Sequence, residues 1–358
     1  MAALSWGLGH VTRDLPIIRY LLARGHEVTM ATSGRALELL RHDAPDCRLV
    51  KLPDYPAPYS SGKTFLPKFA LSLDRVLRAI ARERRAARRL IERGGYDLLI
   101  SDNRFNFYHP DVPCFFLSHQ LKFAFPAPFE FLVPISGLYN GHYHRHFRRV
   151  IVPDYADPRR NLSGLLSHGF PVNRSRPYYA GILASVRRLD LPQDVDLFIS
   201  VSGPEPQRTE FERIVRAQLH RLPPEWKVVV TLGKPGANGE PERIGNAQVH
   251  GFFGRERQQE MLNRARMVVS RSGYTTVMEL AELGRKALML PTPGQTEQEY
   301  LSRYYLEQGM FYSVKQWDLD LVRDLEIARR YPGVTWKCST EESVRRLYDD
   351  LLRPILEK

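Results

Sequence analysis

Along the chain, short runs of apolar and β-branched residues alternate with longer stretches whose apolar positions recur every three or four residues. The runs at 26–32 (HEVTMAT), 47–52, 96–101, 112–118 and 149–154 are apolar almost throughout. Such runs predict strands buried on both faces, the pattern of parallel sheets. A second series follows at 196–202 (DLFISVS), 226–232, 247–252, 266–271 and 286–291. Between them, 11–24, 72–93, 207–221, 255–265 and 275–283 carry helical periodicity. Strands alternating with helices predict βαβ units, and two series predict two Rossmann-like, doubly wound parallel-sheet domains of the α/β class. Only MAAL precedes the first glycine turn, so the opening strand is very short or the start lies late. A polar, proline-bearing stretch at 172–181 predicts the linker. The expected division is therefore a domain at 1–180, a second at 181–339, and a final helix at 340–358 that returns to the first. Thr340 is its expected N-cap, with Glu341 and Glu342 in the first turn.

At 358 residues, with 43% hydrophobic and 26% charged residues, the chain has material for two ordinary cores. No run approaches the roughly 20 apolar residues of a membrane span, and no basic-then-apolar leader opens the chain, so a cytoplasmic location is expected. Cys47, Cys114 and Cys338 are odd in number and far apart, which predicts reduced thiols. The net charge of +12 is uneven: residues 1–183 hold 26 Lys and Arg against 15 Asp and Glu, the remainder 26 against 25. An anionic partner should therefore meet the first half. No nucleic-acid-binding motif accompanies the charge, so nucleic acid is not expected as the partner.

Three stretches can carry chemistry. In LSWGLGHVTR (4–13), Gly7 and Gly9 sit in a strand-to-helix turn and His10 heads the helix. Glycines admit a ligand close to the backbone, and a helix start offers free N–H groups to an anion. Thr12 stands where the dinucleotide fingerprint needs its third glycine, so the turn is poor evidence for NAD. His10 either reaches the crevice or caps its helix. SGPEPQRTEFE (202–212) repeats the strand–turn–helix pattern at Gly203. The third stretch, 268–309, is the richest: a buried strand runs into Ser272-Gly273, and Thr275 and Thr276 open a helix. Hydroxyls and free N–H groups there suit a phosphate without a metal. Glu279, within two turns on an apolar face, can accept two hydrogen bonds from a ribose diol. Gln295, Gln298 and Glu299 follow the next strand on a loop suited to sugar hydroxyls.

The arrangement S-R-S-G-x-x-T-x-x-E-L-x-x-x-G, then a strand, P-x-P and a glutamine-rich loop, resembles the C-terminal domain of glycosyltransferase family 28, the MurG-like group of the GT-B superfamily. GLGH looks like the family's N-terminal glycine loop, and SGPEPQR like the first glycine loop of its donor domain. The resemblance implies a GT-B fold, two Rossmann-like domains facing a cleft. It also implies an inverting, metal-independent transfer of N-acetylglucosamine or another hexose from a UDP-sugar, with no cofactor. Carried over by position, Glu279 would hold the ribose; Ser272, Gly273, Thr275 and Thr276 the diphosphate side; Gln298 and Glu299 the donor sugar. Phe252 or Phe253 would offer backbone to uracil, and Arg208 would flank the pyrophosphate loop. The sequence departs from the family pattern in three places. The G-G-T-G-G-H loop is here Ser5 to His10, with Trp6 and Leu8 in place of small residues. The G-N-P-V-R segment is best matched by 181–185, without its arginine. The second of two adjacent glutamines is Glu299.

On the acceptor side, Asp102 and His119 end two predicted strands near the expected cleft. The base for an acceptor hydroxyl is His10 first and Asp102 second. The charge of the first half points to an anionic or lipid-linked acceptor, with peripheral contact to an anionic membrane. Segment 72–93 carries eight arginines against three acids, either as a solvated face or as a surface for anionic lipid. The aromatic stretch 123–139 reads as an acceptor wall, a membrane-touching lip or a packed loop. His142, His144 and His146 alternate as they would on one face of a strand, but neighbouring arginines oppose a metal there. Two rival classes stand beside the transferase: a UDP-sugar epimerase, which would convert donor without an acceptor, and a non-catalytic nucleotide-sugar-binding subunit.

Overall fold

The computed structural model describes residues 1–5, 8–54, 65–126, 129–237 and 239–357, and only the backbone of Leu8, 65–77 and Ile80. It divides into two compact units, Met1–Ser185 with Ser339–Lys358, and Val186–Cys338.

The first unit holds β1 (Ala2–Ala3), β2 (Thr29–Thr32), β3 (Arg48–Lys51), β4 (Leu99–Asp102), β5 (Cys114–Leu117), β6 (Arg149–Val152) and β7 (Pro177–Tyr179). They form one parallel sheet in the order β3-β2-β1-β4-β5-β6-β7. Every residue of β4 and β5 is buried, which is why these segments read as continuous apolar runs. The crossovers carry α1 (Leu8–Ala23), α2 (Gly34–Asp43), α3 (Phe65–Gly94) and α4 (Val133–His144). Ala87 and Ile91 of α3 enter the core with Ala2, Phe116 and Val150, while Arg78, Arg82, Arg85, Arg88, Arg89 and Arg93 stay exposed. The chain runs outward from β1 to β3 and then returns to β4 on the other side of β1. That reversal leaves a crevice beyond the carboxyl ends of β1 and β4.

Three local expectations are corrected. His142 and His144 lie in α4, not on a strand; Pro134 in its first turn favours the helix start, and Gly137 and Gly141 are buried within it. Among the described residues, no three His, Cys, Asp or Glu side chains are grouped to hold a metal ion. Segment 172–181 is not a linker, since 177–179 pair with β6 as an edge strand. The C-terminal helix α10 (Thr340–Leu347) is capped by Ser339, whose hydroxyl accepts from the Glu342 amide at 3.2 Å. Gly181, at φ +89°, approaches Ser343 of α10 too closely to admit a Cβ.

In the second unit, β8 (Val195–Ser200), β9 (Val228–Thr231), β10 (Glu242–Ile244), β11 (Ala247–His250), β12 (Ala265–Arg271), β13 (Lys286–Leu290) and β14 (Tyr312–Ser313) form a sheet in the order β10-β11-β9-β8-β12-β13-β14. Only the β10–β11 hairpin is antiparallel. Helices α5 (Gln207–Arg216), α6 (Arg255–Arg264), α7 (Tyr274–Leu283), α8 (Thr296–Glu307) and α9 (Leu321–Ala328) complete the unit. Val201, Phe211, Val230, Val269 and Leu288 anchor its core. The direction of winding reverses between β8 and β12, which sets a second crevice at their carboxyl ends. The three cysteines are buried and free. No described helix is long and apolar enough to cross a membrane.

Candidate functional site

In the first unit, four side chains meet at the crevice beyond β1 and β4. His10, in the first turn of α1, puts Nδ1 at 2.9 Å from Oδ1 of Asp102, the last residue of β4. Arg13, one helical turn on and only 2% exposed, donates Nε to Asp102 Oδ2 at 2.7 Å and a second arm to Oδ1. Its Nη1 lies 3.0 Å from His119 Nδ1. Burial alone would raise the Asp102 carboxyl, but the Arg13 guanidinium and His10 hold it well below the usual carboxylate range. The next acid, Asp14, is fully buried with both oxygens lacking a hydrogen-bond partner, and burial and the nearby Asp102 charge push its carboxyl well up. Asp102 is thus the ionised member of the two. Nδ1 of His10 cannot both donate to that carboxylate and accept from Arg13 Nη2, 2.9 Å away. With an anion beside it, the ring proton belongs on Nδ1, leaving Nε2 to take a proton.

Of the residues read on this side from sequence, His10, Gly9, Asp102 and His119 belong to the crevice, and Gly7 lies outside the described residues. Arg13 escaped the sequence reading. Its signal was the i,i+3 spacing from His10, which puts both side chains on one face of the helix.

In the second unit, β12 runs into Ser272, and Gly273 caps α7 in an extended conformation. Ser272 is fully buried, and its hydroxyl donates to the Gln298 carbonyl at 2.9 Å. Thr275 and Thr276, in the first turn, are half-buried. Glu279, one turn further and 8% exposed, lies 3.6 Å from Arg255 Nη2 at the start of α6. Gly203, after β8, has φ +121°, a conformation that favours glycine, and faces Arg271 and Thr292.

The loop after β13 is bound to itself. Gln298 accepts from the Thr292 amide at 2.9 Å and donates to Gln295, while Glu299 accepts from the Gly294 amide at 2.9 Å. A Cβ on Gly273 would stand 3.9 Å from Gln298 Nε2, so Ser272, Gly273 and Gln298 form one group. Arg208 is turned into its own domain, with Glu212 at 2.9 Å and the Leu232 carbonyl at 3.1 Å. Phe252 is partly exposed and Phe253 packs on His250, ring centroids 4.7 Å apart, in the turn between β11 and α6. The sequence reading also missed Arg271, at the end of β12. Its guanidinium donates to the carbonyls of Ser202, Gln207 and Pro291 and to the Gln316 side chain. It ties together the loops after β8, β13 and β14, and burial lowers its pKa to about 10.

Two doubly wound sheets, each with polar residues at its switch point, define the class: an α/β protein of GT-B architecture. Residues 208–326 match the glycosyltransferase family 28 C-terminal domain, so this part of the chain is similar to that domain. An uncharacterized glycosyltransferase of Methanosarcina acetivorans is 26% identical over 322 residues, 82% of this chain and 77% of the relative. MurG of Acinetobacter baumannii superposes with a TM-score of 0.56 at 13% identity, covering 100% of this chain and 98% of that one. A putative UDP-N-acetylglucosamine 2-epimerase of Listeria monocytogenes reaches 0.64 at 12%, covering 99% and 96%. At such identities the two structures speak to the fold alone.

Proposed function

We propose that the chain transfers a hexose, with N-acetylglucosamine the first candidate, from a UDP-sugar to a hydroxyl of an anionic or lipid-linked acceptor, with inversion and without a metal ion. The second unit takes the nucleotide sugar and the first takes the acceptor. The observation that carries the reading is the His10–Asp102–Arg13 cluster, in which the His10 ring nitrogen faces an ionised, buried carboxylate. His10 Nε2 removes the acceptor hydroxyl proton as that oxygen attacks the anomeric carbon and the bond from that carbon to the diphosphate oxygen breaks. Asp102 stabilises the imidazolium that forms, and UDP leaves with the electron pair. In the second unit, free N–H groups at the start of α7, with the Thr275 and Thr276 hydroxyls, stabilise the diphosphate. Glu279 accepts from the ribose diol, Gln298 and Glu299 face the sugar, and the 252–253 turn meets the base.

The test is a thermal-shift screen of UDP- and dTDP-sugars with and without EDTA, followed by product analysis with and without acceptors. Stabilisation by a UDP-sugar that survives EDTA, lost in Glu279→Ala, is expected. No stabilisation by any nucleotide sinks the proposal. Donor conversion without an acceptor identifies an epimerase, and donor binding without turnover over a broad acceptor panel identifies a binding subunit.

A further inference from the structure

The outward side of α3 is a row of arginines. Ala79, Glu83, Ala87 and Ile91 are buried and fix which side of the helix turns inward. Arg78, Arg82, Arg85, Arg89 and Arg93 are all exposed. Their spacing of four, three, four and four residues sets them in one stripe opposite the buried side. At the helical rise per residue the stripe is about 22 Å long. Only two acids, Glu83 and Glu92, lie between positions 75 and 96. Glu83 is buried against Arg104 at 2.8 Å, and Glu92 is held by Arg88 at 2.6 Å. Arg82 and Arg85 turn to carbonyls of their own helix, those of Arg78 and Ala81, each at 3.3 Å.

Such a row works against its own helix. Like charges three and four residues apart are destabilising, and an anionic partner offsets the repulsion. The choice of cation narrows the partner. No lysine occurs between 69 and 121, and the planar guanidinium, unlike an ammonium, pairs with two oxygens of one carboxylate or phosphate. No aromatic residue occurs from 78 to 95, so the bases of a single strand would find no stacking platform. Among the described residues of 78–94 no large apolar side chain is exposed, so this face has nothing to insert into a bilayer. A linear chain of closely spaced oxyanions fits what is left. The stripe also lies close to the first unit's crevice. Arg104, the partner of Glu83, follows Asp102 by two residues, and Arg84 Nη1 is 3.5 Å from the Asn106 carbonyl.

We propose that the arginine stripe of α3 binds a linear glycan whose repeating units carry carboxylate or phosphate groups. That this glycan is the acceptor's own chain rests on the transfer reaction proposed above. Fluorescence anisotropy of the full chain with labelled polygalacturonate and with labelled phosphomannan tests the binding without any nucleotide sugar, and the two probes separate carboxylate from phosphate. At least one should bind, neutral dextran should not, and affinity should fall as salt rises. Arg82→Ala, Arg85→Ala and Arg89→Ala together should weaken binding by roughly tenfold or more. Alanine suits exposed helical positions, so an unchanged melting curve is expected. Arg145→Ala with Arg148→Ala, which removes exposed charge after α4, should change affinity by less than about twofold. Binding of neither glycan overturns the proposal. So does an equal loss in the two sets of variants, or tighter binding of a single-stranded oligonucleotide or of anionic vesicles through the same arginines. Glycan binding that persists when the nucleotide-sugar screen fails supports the stripe and removes only its link to the acceptor.

Discussion

Nδ1 of His10 lies 2.9 Å from Oδ1 of Asp102, although 92 positions separate the two residues in the chain. One opens α1 and the other closes β4, and the two are neighbours because β1 and β4 pair at the reversal of the sheet. Asp102→Asn should therefore keep the fold and donor binding while turnover falls by about a hundredfold or more. The amide can hold the imidazole in the wrong tautomer and cannot balance its charge. His10→Ala should lower turnover at least as far. Steady-state kinetics beside a nucleotide melting shift checks both, and unchanged turnover in either variant removes that residue from the mechanism.

Arg271 serves the donor-side loops as a strut. Arg271→Lys retains a charge but cannot reach four acceptors at once, and it should cost about 3 kcal/mol of unfolding free energy. Nucleotide-induced stabilisation should weaken in the same variant, because the loops after β8 and β13 lose their common anchor. Urea unfolding with and without UDP measures the two effects.

Arg104 is wholly buried beside β4 and donates to Glu83 of α3 at 2.8 Å, with Asp54 on its other arm. Glu83→Ala leaves part of a buried guanidinium uncompensated, and a loss of roughly 3 kcal/mol is expected. The urea midpoint should fall with little change in the slope. Substituting the exposed Arg89 of the same helix should move stability by less than about 0.5 kcal/mol.

Burial lowers the His144 imidazole from 6.5 to about 3, so the folded state binds fewer protons than the unfolded chain between those values. Stability is then lost as pH falls below about 6.5, at up to about 1.4 kcal/mol per pH unit, and the loss is complete near 3. His144→Phe should flatten the dependence of unfolding free energy on pH by about one proton between roughly pH 6 and 4. An unchanged slope would show that the imidazole is protonated in the folded state.

Alternating apolar runs and helical stretches were enough to place both series of strands and the start of α7, because buried parallel strands and the Ser272-Gly273 turn depend on local composition. Thr275, Thr276 and Glu279 follow from helical geometry once the turn is set. The linker was misplaced at 172–181 because an edge strand such as 177–179 needs little apolar sequence when its partner supplies the pairing. Likewise, three alternating histidines cannot signal that His142 and His144 fall in a helix. Composition along the chain determined which residues would be buried and where the strands end. Only the tertiary structure decided that His10, Arg13, Asp102 and His119 share one network and that Arg271 spans three loops. Those relations depend on strand order and crossover packing, which bring together residues that no local pattern connects.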